Sequence, residues 1–502
     1  MLDSKKRLIM KNYKLTSYIL LLLLVTIGSS CENYLDEAPD DRLELDTVEK
    51  AAKVVADAYS QGSYAFTDAY TDLVGPTGNP DSGGVIQTSG GNTIRLQDTQ
   101  IYTWDNVTAI FQDTPTYFWD QTYEAIAQTN EVLAVIDNLE GDQDLKNAVK
   151  GEALLARAYN HFMLVNMFGM HYDQNASSNL GVPYVLKPET EFLPTYTRNT
   201  VAEVYDLVEK DLLEGLALIK DDFFSGTKKY HFTKKAAQAF ASRFYLWKGD
   251  YAKCKTYSDL FLGGSPQTYI KDYATLTGSG YNDIADKYGS PEDESNVLVV
   301  QKFSTFQRRS IGYRLNSAGI NNTFANIFNV ADARTSTGVW NVGTDARYLS
   351  RLREYFFREN LSSNSGLAYH ISQELKGEEV ILNRAEANLF LGDQAAALAD
   401  INLIANNRYA GNQYTDLAAL VTFYSASSET DAITQLILDE RKKEFIDHGL
   451  RWFDIKRFNL PVTHVLPVSE GGGTFELTAN DLRKAIQIPD DAISFGLTPN
   501  PR

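Results

Sequence analysis

Residues 243–254 read RFYLWKGDYAKC, and residues 385–397 read AEANLFLGDQAAA. In each, an apolar-periodic run stops at Gly-Asp, Gly249-Asp250 in one and Gly392-Asp393 in the other, and a second run begins at once. Glycine ends a helix readily because it accepts left-handed backbone angles, and aspartate caps the next helix by accepting from its free amides. Small residues follow at matching places, Ala252 and Cys254 in one copy, Ala395 and Ala397 in the other. They let two antiparallel helices approach closely. The spacing predicts a helix, a tight turn and a second helix, twice.

Working outward, Ala236–Trp247 and Glu378–Leu391 have helical periodicity and supply the first helix of each pair. Val201, Val204, Tyr205, Val208, Leu212 and Leu216 recur at helical spacing behind the capping candidates Arg198, Asn199 and Thr200. Glu152–Phe168 is apolar nearly all round toward its end, so that end should be buried, and Gly169 stops it. Glu152–Phe168 and Val201–Ile219 read as another hairpin. Helix pairs that stack to bury a shared face follow the logic of tetratricopeptide repeats. The fold class expected is mainly α, a tetratricopeptide-like helical hairpin scaffold with long loop-rich insertions forming the ligand face. Residues 67–100, 263–296 and 310–347 are rich in Gly, Ser, Thr, Asn and Asp and read as loops or short strands. Loops of such length in a compact chain are usually functional.

The N-terminus carries an export signal. Lys5, Lys6, Arg7, Lys11 and Lys14 precede the apolar run Tyr18–Ile27, which is too short to span a bilayer comfortably but fits a signal-peptide core. Met10 offers an alternative start. Gly28, Ser29 and Ser30 lead to Cys31, the pattern of a bacterial lipobox, with Gly28 where such boxes usually carry Leu. Residues 1–30 are read as signal peptide and Cys31 as the lipidation site. Two or more acyl chains hold a protein on a membrane where one does not. No second apolar run has spanning length.

Composition narrows the partners. The formal net charge is −18, and the first thirty residues carry five basic groups against one acid, Asp3, so the chain from Cys31 onward is more acidic still. Nucleic acid and anionic lipid surfaces reward basic patches and are excluded as partners. Cys254 has no partner once Cys31 is lipidated, so no disulfide framework is expected. The six histidines (161, 171, 231, 370, 448, 464) are scattered without zinc-site spacing, and no nucleophile elbow or phosphate loop occurs. No enzyme activity, cofactor or metal is expected. Glu440–Arg457 concentrates Glu, Arg, Asp, Lys and Trp; guanidinium forks pairing carboxylates and stacking on aromatics make a structural role the better reading.

An ordered set of motifs carries a resemblance. It starts with Cys31, Tyr34, Leu35, Asp36 and Pro39, then Trp119, Tyr123, Ile126 and Asn130. Glu152, Ala156-Arg157-Ala158-Tyr159, Phe168-Gly169 and Gly181-Val182-Pro183 follow, then Arg198, Thr200-Val201, Val204-Tyr205 and Asp211-Leu212. Thr233, Ala236-Ala237, Arg243 and Gly249-Asp250-Tyr251 come next. Glu440-Arg441, Glu444-Phe445, Gly449 and Arg451-Trp452-Phe453-Asp454-Ile455-Lys456-Arg457 form the strongest segment, with His448 where an acidic residue is more usual. Ile486, Ile488-Pro489 and Asn500-Pro501 close it. In this pattern the chain resembles the SusD/RagB family of outer-membrane nutrient-binding lipoproteins. The resemblance implies one unit over 31–502, with an N-terminal region 31–225 and a C-terminal region 226–502 bearing a loop-rich insertion over about 263–375. It implies a lid on a SusC-like TonB-dependent transporter at the outer membrane of the cell surface, and a ligand that is commonly an oligosaccharide, with peptide as the alternative.

Sugar capture needs flat apolar platforms with a few amide, carboxylate or guanidinium groups. In the loop-rich segments the candidates are Trp104 and Trp340, with Tyr70, Asp72, Arg95, Tyr281 and Tyr313. Trp119, Trp247 and Trp452 lie on scaffold motifs and are expected in the core. A scaffold that docks the transporter without binding nutrient is the competing possibility, but it does not need long aromatic-bearing insertions.

Overall fold

The computed structural model describes residues 45–502, apart from 79–93, 191–193, 225, 227, 309–311, 343, 359, 361, 363 and 364. The expected signal peptide and Cys31 lie outside the described residues. Helices α1 (Val48–Ala56), α2 (Leu96–Tyr102), α3 (Pro115–Val135), α4 (Gln143–Phe168) and α5 (Val201–Leu218) come first, then α6 (Lys234–Lys248) and α7 (Tyr251–Leu262). An insertion follows with α8 (Tyr281–Tyr288), α9 (Ser317–Thr323) and α10 (Ala333–Ser336) among short strands. The scaffold resumes with α11 (Gly377–Phe390), α12 (Gln394–Arg408), α13 (Leu417–Tyr424), α14 (Glu429–Glu444), α15 (Arg451–Arg457) and α16 (Asp490–Ser494). The fold is mainly α.

Both Gly-Asp turns form as the sequence predicts. Gly249 and Gly392 adopt left-handed φ of 78° and 90°, and the carboxylates of Asp250 and Asp393 accept from the amides of Lys253 (3.1 Å) and Ala396 (2.9 Å). α6 packs on α7, α11 on α12, and α11 lies against α7, so the two hairpins stack. Cys254 is fully buried between them, its thiol 3.6 Å from the carbonyl of Asn383. α4 packs on α5, and two glycines set how closely. A β-carbon at Gly151 would stand 2.8 Å from the Ile219 nitrogen, and one at Gly215 only 2.7 Å from Leu155 Cγ. Gly151→Val should therefore force the helices apart, at a cost of about 1–3 kcal/mol. A thermal melt checks it; an unchanged midpoint would mean the crossing is looser than drawn.

The Glu440–Arg457 segment is a buried ion network, as its structural reading anticipates. Arg441 pairs with Asp454 at 3.0 Å, and Arg457 with Glu386 at 2.6 Å and Asp454 at 3.0 Å. Arg408 meets Glu444 at 3.1 Å. Arg334, from the insertion, reaches Asp332, Glu440 and Glu444 at 2.6, 3.0 and 3.4 Å. Trp247 and Trp452 are core residues; Trp119 is nearly so.

His161 on α4 shows how burial sets pH behaviour. Its Nδ1 lies 2.9 Å from the Arg157 carbonyl, and its Nε2 accepts from the Val185 amide at 3.0 Å, a pairing only the neutral ring satisfies. Burial pushes it down to about 3, and pushes His370 down to about 4. The unfolded chain, with histidines near 6.5, takes up protons the folded chain refuses. Stability from these groups is thus complete above pH 6.5 and is lost as pH falls from there toward 4, at about 1.4 kcal/mol per pH unit per proton. Urea midpoints measured from pH 8 to 4 should be flat first and then fall, less steeply in His161→Gln. An equal slope in that variant would assign the acid sensitivity elsewhere.

The insertion holds a three-stranded antiparallel sheet in the order β2 (Asn296–Phe303), β7 (Gly366–Lys376) and β6 (Tyr355–Arg358). β1 (Gly75–Pro76) pairs with β3 (Tyr313–Arg314), and β4 (Val339–Val342) forms a hairpin with β5 (Ala346–Leu349). β8 (Val462–Leu466) and β9 (Gly473–Leu477) make a last hairpin near the C-terminus.

Candidate functional site

The insertion brings two of the sequence-predicted residues together. Tyr281 opens α8 and Trp340 sits in β4; their rings meet edge to face, 6.2 Å between centroids. Both are half-buried. The Tyr281 hydroxyl donates to the Leu352 carbonyl at 3.0 Å, which fixes its ring. Beneath Trp340 lie Tyr273, Ile284 and Tyr288. Its partner across the hairpin, Tyr348, is buried with Arg314 stacked 3.8 Å from its ring centroid. The indole Nε1–H of Trp340 is enclosed without an acceptor among the described residues. The same holds for the indole N–H groups of Trp247 and Trp452 in the core, so it reflects packing around the ring.

Polar groups lie on the same elements. Beyond Leu352, the guanidinium of Arg353 reaches the carboxylate of Asp286 on α8, and the Tyr355 hydroxyl donates to the same carboxylate at 2.6 Å. Asn341 and Arg347 face each other across the β4–β5 hairpin, with Arg347 also meeting Asp345 at 2.9 Å and the Ser317 hydroxyl. Strand alternation places Asn341 and Arg347 on the face opposite Trp340. Asp286, Arg353 and Tyr355 were not singled out in the sequence. The signal that could have found them is weak: charged and aromatic residues at the edges of short alternating runs.

The structure corrects the other expectations. Trp104, Tyr70 and Tyr313 are buried, not displayed on loops. Trp104 stacks on His464 at 4.4 Å, His464 on Tyr102 at 4.0 Å, and Tyr102 on Tyr313 at 4.1 Å. Four rings are thus closed into one pile, and the Trp104 Nε1–H is spent on the Tyr70 carbonyl at 2.9 Å. Neither face of Trp104 is left to receive a ligand. Residues 67–70, the start of a stretch expected as loop or short strand, belong instead to a buried 3-10 turn, Ala65–Tyr70. Asp72 is spent on a two-point pair with Arg451 at 2.8 and 3.0 Å, with Lys442 at 3.3 Å. Burial would raise the Asp72 carboxyl, but Arg451 and Lys442 outweigh it and hold it well below the carboxylate range. Arg95 is exposed at the start of α2, its amide donating to Asp98 at 3.1 Å, and is not brought to Trp340 by any contact described.

A cavity of about 650 Å³ opens elsewhere, between α3 and α16. Trp119, Tyr123, Pro183, Tyr196, Phe495 and Leu497 line it, with Lys187 and Glu189 exposed at its rim. Glu189 already accepts from the Tyr196 hydroxyl at 2.5 Å. This cavity too sets aromatic rings beside a few polar groups, the combination a small-molecule site needs. Among the described residues there is no cluster of metal-ligating side chains, and no helix is long and apolar enough to cross a membrane.

Stacked helical hairpins with an aromatic surface carried on a long insertion define a helical-repeat scaffold of the tetratricopeptide-like kind. Comparison with known proteins narrows this. A family profile described as "Starch-binding associating with outer membrane" matches residues 33–246, and the SusD family profile matches residues 263–498. The chain belongs to the SusD family. SusD-like protein P2 of Formosa agariphila is 21% identical over 493 residues, covering 90% of this chain and 91% of that protein. The fold matches a SusD superfamily protein from Bacteroides thetaiotaomicron (TM-score 0.64, 20% identity, 91% of this chain and 100% of that one). It also matches a putative sugar binding protein from Bacteroides vulgatus (TM-score 0.65, 20% identity, 92% and 99%).

Proposed function

We propose that this chain is a glycan-capturing lipoprotein of the outer membrane, anchored at Cys31, that holds an oligosaccharide on the Trp340–Tyr281 surface. In this reading it delivers the sugar to a SusC-like TonB-dependent transporter. The observation that carries it is the half-buried Trp340–Tyr281 pair, two rings fixed edge to face on the insertion. An aromatic face receives the apolar side of a sugar ring, and fixed polar groups receive its hydroxyls. The starch-binding description of the matching profile and the sugar-binding description of a structural neighbour support a carbohydrate as ligand. Membership of the SusD family supports a sugar that is bound and not cleaved.

Peptide is the second reading, and one feature favours it. β6 is the edge of its sheet, with Phe356 and Phe357 exposed, the kind of strand to which an extended peptide can add. Affinity electrophoresis of the full chain in gels carrying amylopectin, xyloglucan, galactomannan or laminarin decides, with calorimetry against mixed peptides alongside. Retardation by a polysaccharide supports the glycan reading; heat from peptides with no retardation replaces it. Silence in both would leave a docking scaffold.

A further inference from the structure

The face of the β2–β7–β6 sheet carries a row of aromatic and amide side chains that no motif marks. Cross-strand register puts Gln301 opposite Ile371, and Phe303 and Tyr355 each opposite Tyr369, all on one face. The Tyr355 and Tyr369 rings are stacked, 5.3 Å apart at 21°. Tyr230, on the turn before α6, stands over the same face with 38% of its surface exposed. Its neighbour Lys229 is tied to the Asp293 carbonyl at 2.8 Å, which fixes the turn there. Tyr230 shares one cavity with Tyr369 and another with Tyr355, and burial, then the nearness of Tyr369, raises its hydroxyl.

Two cavities open along this face. One of about 420 Å³ includes Gln61, Tyr230, Gln301 and Tyr369; one of about 170 Å³ includes Tyr230, Asp286, Arg353 and Tyr355. They share Tyr230 and Ile371 in their walls and so adjoin beneath Tyr230, an interrupted trench along the sheet. At its far end the trench reaches Asp286, on the helix that Tyr281 opens, and Arg353, next in the chain to the Leu352 whose carbonyl holds the Tyr281 hydroxyl. Its charged groups near that end are already paired: Arg353 with Asp286, and Arg351 with the carbonyls of Lys443 and Ile446. The remaining lining is phenol, amide and aliphatic side chains, with the exposed Asp57 as its one further charged group. That chemistry suits an uncharged, hydroxyl-rich chain better than an ionic ligand.

We infer that the trench under Tyr230 is a second glycan contact, in which a further stretch of the same polysaccharide lies along the sheet beyond the Trp340–Tyr281 surface. This rests on the glycan reading and adds that the natural ligand is an extended polymer, not a short terminal unit.

The test uses the full chain and the gel panel of amylopectin, xyloglucan, galactomannan and laminarin, with the trisaccharide of whichever polymer retards it. Tyr230→Ala with Gln301→Ala should weaken polymer binding about tenfold and leave trisaccharide binding unchanged, since an aromatic anchor in a cleft carries binding of that order. Tyrosine nitration by tetranitromethane, read by mass spectrometry on the unaltered chain, avoids any folding defect: the polymer should slow modification of Tyr230, and the trisaccharide should not. Polymer binding and nitration both unaffected, with Trp340→Ala still losing binding, would overturn the trench while the glycan reading stands. A wild-type chain that no polysaccharide of the panel retards would overturn both.

Discussion

Arg334→Ala is expected to destabilise the protein by about 3–5 kcal/mol, the cost of stripping one partner from a buried ion cluster. Arg334 is 1% exposed and lies among Asp332, Glu440 and Glu444, with its guanidinium also donating to the Tyr409 hydroxyl at 2.7 Å. Burial by itself would raise Glu440; Arg334 and then Lys443 bring it below its ordinary value. Without Arg334, two carboxylates near Asp332 lose a cation that water cannot replace. For a protein whose whole stability is of the order of 5–15 kcal/mol, this is a large fraction. Urea denaturation followed by circular dichroism measures it. Arg334→Lys should recover only part, because an ammonium cannot serve several oxygens through a planar fork. Adding Glu440→Gln to Arg334→Ala should recover part of the loss by neutralising one stranded charge, and strict additivity of the two changes would refute the coupling.

Trp340→Ala should cost the full chain at least about thirtyfold in affinity for a retarding polysaccharide, the loss typical of a central aromatic anchor. Tyr281→Phe should cost far less, because it keeps the ring and removes only the bond to the Leu352 carbonyl. Trp104→Ala gives the contrast. Removing a ring from the buried pile with His464 should lower the melting temperature, with about 3–5 kcal/mol lost, and touch binding only through folding. If Trp104→Ala abolishes binding with stability intact while Trp340→Ala does nothing, the placement of the site on the inserted hairpin is wrong.

His448 links scaffold and insertion. Its Nε2 lies 3.0 Å from the Tyr288 hydroxyl of α8. Burial, and then Lys376, push its imidazole well below the ordinary histidine range. This contact joins residues 160 positions apart and is invisible along the chain.

The helices, their caps and their hairpin turns were legible in the sequence because the physics that makes them is local. Periodicity over a few turns, Gly249 and Gly392 at left-handed angles, and Asp250 and Asp393 on free amides all act within a few residues. The role of Glu440–Arg457 was legible too, because guanidinium and carboxylate groups at that density must pair when buried. Which aromatics meet solvent was not. Trp104 and Trp340 sit in similar stretches of Gly, Asn, Thr and Asp, yet one is closed between His464 and its neighbours while the other stands half-open beside Tyr281. The difference is made by residues hundreds of positions away: His464 from the C-terminal hairpin seals Trp104, and Arg451 consumes Asp72. Burial is a property of what the rest of the chain packs against a side chain, so only the tertiary structure could decide it.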